Sequence, residues 1–336
     1  MKKGQEVKDS KAYLARKIIE QFPHASKKEL GKILFQKYPL RFSSEEVGRQ
    51  FIRFVTGTGG GPQTIIQTDK YKGPLSIPKG QLNDYSHYAV VGQRIGILSD
   101  IHIPYHDSEP LDISIRELQK QKIDTLILNG DIIDCYQESN FVKNPTKDSI
   151  KIEIEILCHF IKDLQKAFRG AKIIYKFGNH EDRWEKYLMS KAPSIWGFEC
   201  FELDNLIKIE YLRLIGKPLE IDFVKNKRII DIGHLALVHG HEFGEMVFSP
   251  VNAARGFYLR GKANVLGGHL HQTSEHTENN MNGKVVSAWS VGCLCDLHPE
   301  YRPLNKWNHG YAFVIHSPKT GEFEVHNKKI IKGKVY

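Results

Sequence analysis

Five short apolar runs in this chain each end in a small residue and side chains that could hold a metal ion or move a proton. Ile95–Leu98 leads to Asp100 and His102, and Thr125–Asn129 to Gly130-Asp131-Ile132-Ile133-Asp134. Ala171–Phe177 leads to Gly178-Asn179-His180-Glu181-Asp182, and Leu235–Val238 to His239-Gly240-His241. Ala263–Leu266 leads to Gly267-Gly268-His269-Leu270-His271. A carboxylate such as Asp131 at a buried strand end is costly unless something offsets its charge. Three readings are open for it: a metal ion, a basic partner, or a plain Gly-Asp turn. Taken singly, Asp100, Asp131, Asp134 and Asn179 read as turn residues, and each histidine as one ordinary member of the chain's 16. At five successive strand ends the metal reading is favoured. Oxygen and imidazole donors without thiolates suit Mn²⁺, Fe²⁺, Zn²⁺ or Ni²⁺ more than a structural zinc. A shared ridge of strand ends is also where open α/β sheets place their sites.

The elements that must position these groups follow from periodicity. Beyond Arg94, strands alternate with helices expected at 109–121, about 147–168 and about 250–261, with 183–222 a mixture of helix and loop. The tail reads as strands at 284–291, 310–316 and 322–327, joined by turns at Asn282-Gly283 and Lys319–Gly321. Residues 1–58 read as three helices. The first runs from Lys8 to Phe22. The second is opened by a Ser26/Glu29 capping box and ended by Pro39. The third is opened by a Ser43/Glu46 capping box and buries Val47, Phe51 and Val55. Between head and body, 59–93 is dense in glycine and proline and reads as a linker.

Composition narrows the classes. With 336 residues, 40% hydrophobic and 26% charged, the chain can bury a sizeable core. The basic start lacks the apolar core of a signal peptide, and no run is long enough to span a bilayer. Five scattered cysteines argue against a disulfide framework and fit a reducing cytoplasm. Cys293-Leu294-Cys295 lacks zinc-knuckle spacing and reads as strand, without a metal role. The net charge of +9 is concentrated in residues 1–58, which hold 13 Lys and Arg against 6 Asp and Glu. That head suits a polyanion, or is simply a solvated helical surface.

The five blocks together resemble the calcineurin-like metallophosphoesterase superfamily: Asp100-x-His102, Gly130-Asp131-x-x-Asp134, Gly178-Asn179-His180-Glu181, His239 and Gly268-His269-x-His271. The resemblance covers about residues 94–327. It implies an α/β fold, a sandwich of two mixed sheets flanked by helices, with the three-helix head appended. It implies two divalent metals, with Mn²⁺ the expected ion. Asp100, His102, Asp131 and His271 would hold one; Asp131, Asn179, His239 and His269 would hold the other. A hydroxide bridging the metals would attack phosphorus. His180 would protonate the leaving oxygen and Asp134 would orient His180. His239 is assigned as ligand because it stands at the strand's mouth, leaving His241 as a substrate-side or structural residue.

The chain departs from the Ser/Thr protein phosphatase branch, because Asp134 is followed by Cys135-Tyr136 rather than Arg-Gly. Arg183, Arg255 or Arg260 would then supply any phosphate contact, each also reading as a surface salt bridge. The head, whose second and third helices resemble a helix-turn-helix with Arg49, Gln50 and Arg53 on the outer faces of the third, followed by this body resembles phosphoesterases encoded by bacteriophages. The expected function is a phosphodiesterase or nuclease on nucleic acid or nucleotides, with nucleic-acid contact through 1–58. A phosphomonoesterase acting on a metabolite or phosphoprotein is the alternative, and a DNA-binding regulator with a silent body a third.

Overall fold

The computed structural model describes residues 11–23, 25–56, 85–244, 251–279 and 281–336. The expected helix start at Lys8, the linker from Gly57 to Asp84, and Pro250 of the helix expected at 250–261 lie outside the described residues. The chain falls into two units, 1–82 and 83–336.

The first unit packs α1 (Lys11–Gln21), α2 (Lys27–Lys37) and α3 (Glu45–Val55) around Leu14, Ala15, Ile18, Leu30, Leu34, Phe42 and Ile52. The capping box at Ser26 forms as its spacing requires: Ser26 Oγ accepts from Glu29 N, and Glu29 Oε2 accepts from Ser26 N at 2.8 Å. The second cap is shifted by one residue. Ser44, not Ser43, accepts from the backbone, taking Val47 N at 3.2 Å. The buried face of α3 moves with it, to Gly48 and Ile52, while Val47, Phe51 and Val55 are only partly covered. Helices α2 and α3 cross backbone against backbone. A Cβ on Gly48 would stand 2.5 Å from the Gly31 carbonyl oxygen. Gly48→Ala is therefore expected to force the helices apart at a cost of about 1–3 kcal/mol, read as faster limited proteolysis within residues 11–56. Cleavage at the wild-type rate would mean the crossing absorbs a methyl group.

The described residues of the second unit form thirteen strands. One sheet joins β2 (Arg94–Leu98), β3 (Thr125–Asn129), β4 (Lys172–Lys176) and β5 (Asp222–Val224), all parallel, to β11 (His309–His316), β12 (Phe323–Ile331) and β13 (Lys334–Val335), which add antiparallel beyond β2. The other runs β1 (Tyr88–Ala89), β6 (Ile230–Ile232), β7 (Leu235–Val238), β8 (Val265–Gly267), β10 (Val285–Ser290) and β9 (Ser274–Asn279). Its β7, β8 and β10 are parallel and its β9 antiparallel. Side-chain alternation along each strand builds the layers. Ile95, Ile97, Ile127 and Ile174 face the second sheet and meet Ile230, Leu235, Leu237 and Leu266. Leu126, Leu128, Ile173 and Tyr175 face the other way, onto α4 (Ser108–Lys120), α5 (Ile150–Ala167) and α7 (Leu203–Ile215). Strand β3 is thus buried along its whole length, which is why its sequence is a continuous apolar run. On the far side of the second sheet, Phe257 and Tyr258 of α8 (Ala253–Gly261) cover Val238, Val265, Val286 and Ala288. Helix α6 (Glu181–Lys191) follows β4 directly. Among the described residues no helix is long and apolar enough to cross a membrane.

Four strands depart from the expectation, among them the short closing strand β13, which pairs with β12. The stretch read as linker ends in β1, which pairs with β6 through Tyr88 and Ala89. The mixed region 183–222 leads into β5 on the edge of the larger sheet. Strand β9, Ser-Glu-His-Thr-Glu-Asn, is polar throughout because it borders only β10 and alternates between half-buried and exposed positions.

Candidate metal centre

Both sheets aim the carboxyl ends of their parallel strands at one place. Strands β2, β3 and β4 deliver Asp100/His102, Asp131/Asp134 and Asn179/His180; β7 and β8 deliver His239 and His269/His271. The backbone there is strained. Asp100, His102, Asp131, His269 and His271 all have φ between 52° and 65°, a region non-glycine residues rarely enter. Strain of this kind persists only where surrounding structure over-determines it, as at functional sites. Gly178 is obligatory for a different reason: a Cβ would collide with the Asp131 carboxylate and stand 2.9 Å from His239 Nε2.

Asp131 is the hub. Its Oδ2 lies 3.2 Å from His239 Nε2, 3.7 Å from His180 Nε2 and 3.9 Å from His102 Nε2, and its Oδ1 accepts from His180 N. On one side, Asp100 Oδ1 is 3.1 Å from His271 Nε2, which is 3.3 Å from His102 Nε2. On the other, Asn179 Oδ1 is 3.2 Å from His239 Nε2, and donor atoms of Asp131, His239 and His269 lie within 4.8 Å of one another. All seven expected ligands therefore converge, and Asp131 belongs to both groups.

The electrostatics match a site shaped for cations. Burial pushes the Asp100 carboxyl up, but His271 and His239 outweigh it and hold it at about 2. Asp131 is likewise driven well below the usual carboxylate range, burial being overcome by His180 and His239. Burial disfavours charge on His239 and His271, yet Asp131 and Asp100 lift the first to about 10, and Asp100 with Cys293 the second to about 10. Burial and His239 lower His269 to about 4. Two buried carboxylates thus stay ionised and collect protons on the imidazoles around them. Divalent ions would take the place of those protons.

Asp134 does more than the sequence implies. Its Oδ1 meets His180 Nδ1 at 3.1 Å and also His102 Nδ1 at 2.9 Å, so one carboxylate orients two imidazoles. Arg183 is engaged inside the site, not in a surface salt bridge: Nη1 donates to the Asp134 carbonyl, and Nη2 lies 2.9 Å from His180 Nε2. His241 is buried beside His239, with Nε2 3.3 Å from Asp182 Oδ2 but neither ring nitrogen in a hydrogen bond. Cys295 and Cys293 are not in a strand. They form isolated bridges, and Cys295 Sγ lies 3.8 Å from His271 Nδ1, on the opposite ring nitrogen from Asp100.

Three glutamates whose carboxylates hold backbone turns went unassigned in the sequence reading. Glu181 accepts from the backbone N–H groups of Asp131, Ile132 and Gly178 at 2.7–2.9 Å, and from Tyr175 Oη. Glu153, on α5, accepts from Cys135 N and Tyr136 N. Glu242 accepts from His239 N and Gly240 N and pairs with fully buried Lys176 at 2.7 Å. Each holds a turn that carries site residues. Only Glu181 left a trace in the sequence, standing inside the Gly178–Glu181 block; the other two act across 18 residues from Cys135 and, for Lys176, 66 residues from Glu242.

The Lys176–Glu242 pair sets a pH expectation. Burial raises Glu242, but Lys176 and the nearby His241 and His239 pull it to about 2, below its ordinary 4.5. A depressed carboxylate contributes stability that is present above pH 4.5 and is lost as pH falls through about 2. Glu242→Gln is expected to lower the urea midpoint at neutral pH, since it strands a buried ammonium at a cost of about 3–5 kcal/mol. It should also flatten the acid dependence between those two values. Equal acid slopes in variant and wild type would refute the assignment.

A family model for calcineurin-like phosphoesterases matches residues 93–273, more than half of the chain and a span holding all five blocks. The chain belongs to the calcineurin-like phosphoesterase family. Its layered sheets and converging His and Asp clusters accord with the metallophosphoesterase fold and with the family's use of a dinuclear metal site. Among related proteins, the Gene 54 protein of Mycobacterium phage L5 is 26% identical over 237 residues, covering 67% of this chain and 89% of that protein. The Gene 54 protein of Mycobacterium phage D29 is 24% identical over 216 residues, covering 62% and 81%. Solved structures of vacuolar protein sorting 29 are more distant. That of Entamoeba histolytica, a single mutant, shares 12% identity at a TM-score of 0.36, covering 72% of this chain and 96% of its own. That of Cryptosporidium parvum shares 16% at 0.37, covering 73% and 95%.

Proposed function

We propose that this protein is a dimetal-dependent phosphodiesterase acting on nucleic acid or nucleotides in the cytoplasm of a bacterial or phage-infected cell. The observation that carries the reading is the sharing of the Asp131 carboxylate between two convergent donor groups. Asp100, His102, Asp131 and His271 would hold one cation, and Asp131, Asn179, His239 and His269 the other, with Mn²⁺ the proposed ion. When bound, the two ions supply Lewis-acid charge at the phosphoryl oxygens and acidify water at neutral pH.

The remaining work falls to the chain. Nε2 of His180 accepts from Arg183 Nη2 in the resting geometry; once Arg183 turns to the substrate phosphate, Nε2 is free to take up a proton and pass it to the leaving oxygen, while Asp134 holds Nδ1. Arg183, already at the site, is the proposed phosphate-binding arginine. The helical unit exposes Lys17, Lys28, Lys32, Lys37 and Arg41, a surface suited to the phosphate backbone of a nucleic acid. The five unpaired cysteines, four of them buried and Cys200 exposed, suit a reducing cytoplasm.

The test is a substrate panel after Mn²⁺ loading: a diaryl phosphodiester, an aryl phosphomonoester, and single- and double-stranded DNA. Turnover of diesters is expected at neutral pH. Hydrolysis of the monoester alone would overturn the diester reading in favour of a phosphomonoesterase.

A further inference from the structure

One loop of the second unit borders the donor groups without belonging to the core or supplying a donor. The loop from Asp296 to Asn308 holds Tyr301 out into solvent, 74% exposed, and belongs to none of the hydrophobic clusters. This loop is built, not slack. Asn305 Nδ2 donates to the carbonyls of Leu297 and Arg302, Trp307 N donates to Asn305 Oδ1, and His298 Nδ1 meets Pro303 O at 3.0 Å. At its end Asn308 N donates to His271 O. Self-packed surface loops of this kind are frequently functional.

What the loop positions is a pair of aromatic rings beside the metal-donor groups. The Trp307 ring is tilted by 55° against His271, with centroids 4.2 Å apart, and Tyr301 meets Trp307 edge to face at 6.3 Å. Two aromatic rings therefore stand beside an imidazole that itself sits 3.1 Å from Asp100. A nucleotide has the matching layout, with its planar base one sugar away from its phosphate. Aromatic side chains bind bases by stacking irrespective of base identity.

We propose that Tyr301 and Trp307 form a stacking shelf for the nucleobase of a nucleotidyl phosphodiester whose phosphate lies at the donor groups. The inference rests on the phosphodiesterase reading above and names its substrate class. The shelf selects the base by its ring face, so the enzyme discriminates nucleotidyl from simple alkyl diesters without reading sequence.

The experiment compares kcat/KM of the Mn²⁺-loaded full chain for thymidine 5′-(p-nitrophenyl phosphate) and for methyl p-nitrophenyl phosphate, which release the same leaving group. Wild type is expected to favour the thymidine ester. Tyr301→Ala is expected to reduce the thymidine/methyl ratio by about 5- to 100-fold, the fold-change corresponding to one stacked base. Tyr301→Phe should retain the ratio, because the ring and not the hydroxyl carries the effect. A ratio unchanged in Tyr301→Ala overturns the shelf while leaving the phosphodiesterase reading intact. If wild type turns over neither ester, the phosphodiesterase reading falls on its own. The shelf is then judged by calorimetric titration with thymidine 5′-monophosphate: weaker binding to Tyr301→Ala by at least about 5-fold supports it, and equal binding overturns it.

Discussion

Asp131→Ala is expected to remove both cations from the protein together and to lower phosphoester turnover by ~10³-fold or more, the scale of losing a preorganised electrostatic stabiliser. The reason is its shared position. Asp131 lies against His239 on one side and His102 and His180 on the other, so truncation takes an oxygen donor from each group and releases the His180 backbone from Oδ1. Asp134→Asn makes the informative contrast. Asp134 touches His102 and His180 through their Nδ1 atoms, behind the nitrogens that face Asp131. Loss of such an orienting carboxylate is expected to weaken metal binding by ~10–100-fold without changing the stoichiometry. Metal content after dialysis at fixed Mn²⁺, read beside turnover, separates the two variants. Two ions retained by Asp131→Ala would refute the hub assignment.

Glu181→Gln is expected to destabilise the second unit by about 2–6 kcal/mol, because a buried N–H left without an acceptor costs ~1–3 kcal/mol and at least two would be orphaned. The carboxylate accepts from Asp131, Ile132 and Gly178 N–H groups and from Tyr175 Oη. A glutamine has the same shape but only one accepting oxygen; its NH₂ would face donors. Chemical denaturation followed by a probe in the second unit measures the loss. The same variant should bind metal more weakly, since the turn it frees carries Asp131. A substitution that left both stability and metal content at wild-type values would show that solvent or another group satisfies the turn.

How much of this was legible beforehand depends on whether the physics is local. The five strand ends were, because a buried strand delivering Asp or His leaves an apolar run beside a polar group in the sequence. Thr125–Asn129, covered on both faces, is continuous in its apolarity for that reason. Strand β9 was not, since a strand at a sheet border with one wet face needs no apolar pattern. Ser43 and Ser44 are chemically equivalent caps; the choice fell to Ser44 because Gly48 has to sit where α2 and α3 cross. Asp134 was assigned to His180 alone because nothing in the spacing tells which ring nitrogens will reach one carboxylate. Glu153 was invisible as a site residue, because a glutamate on an amphipathic helix reads as solvated and only the tertiary fold brings Cys135 N and Tyr136 N to it; Glu242 holds N–H groups just before it in the chain, and what the sequence hides is its buried partner Lys176.

Those glutamates also decide the order in which this protein is assembled. In a site whose loops are tied by the ion itself, the metal is part of folding, and the first cation encountered becomes trapped in the structure. Here the turns at Asp131, Cys135 and His239 are already fastened by Glu181, Glu153 and Glu242 from within the chain. Folding can therefore finish before any cation arrives. The finished mould then accepts or refuses ions by fit, and can exchange one for another as cellular supply changes without risking the fold. A chelator should silence such a protein and leave it standing.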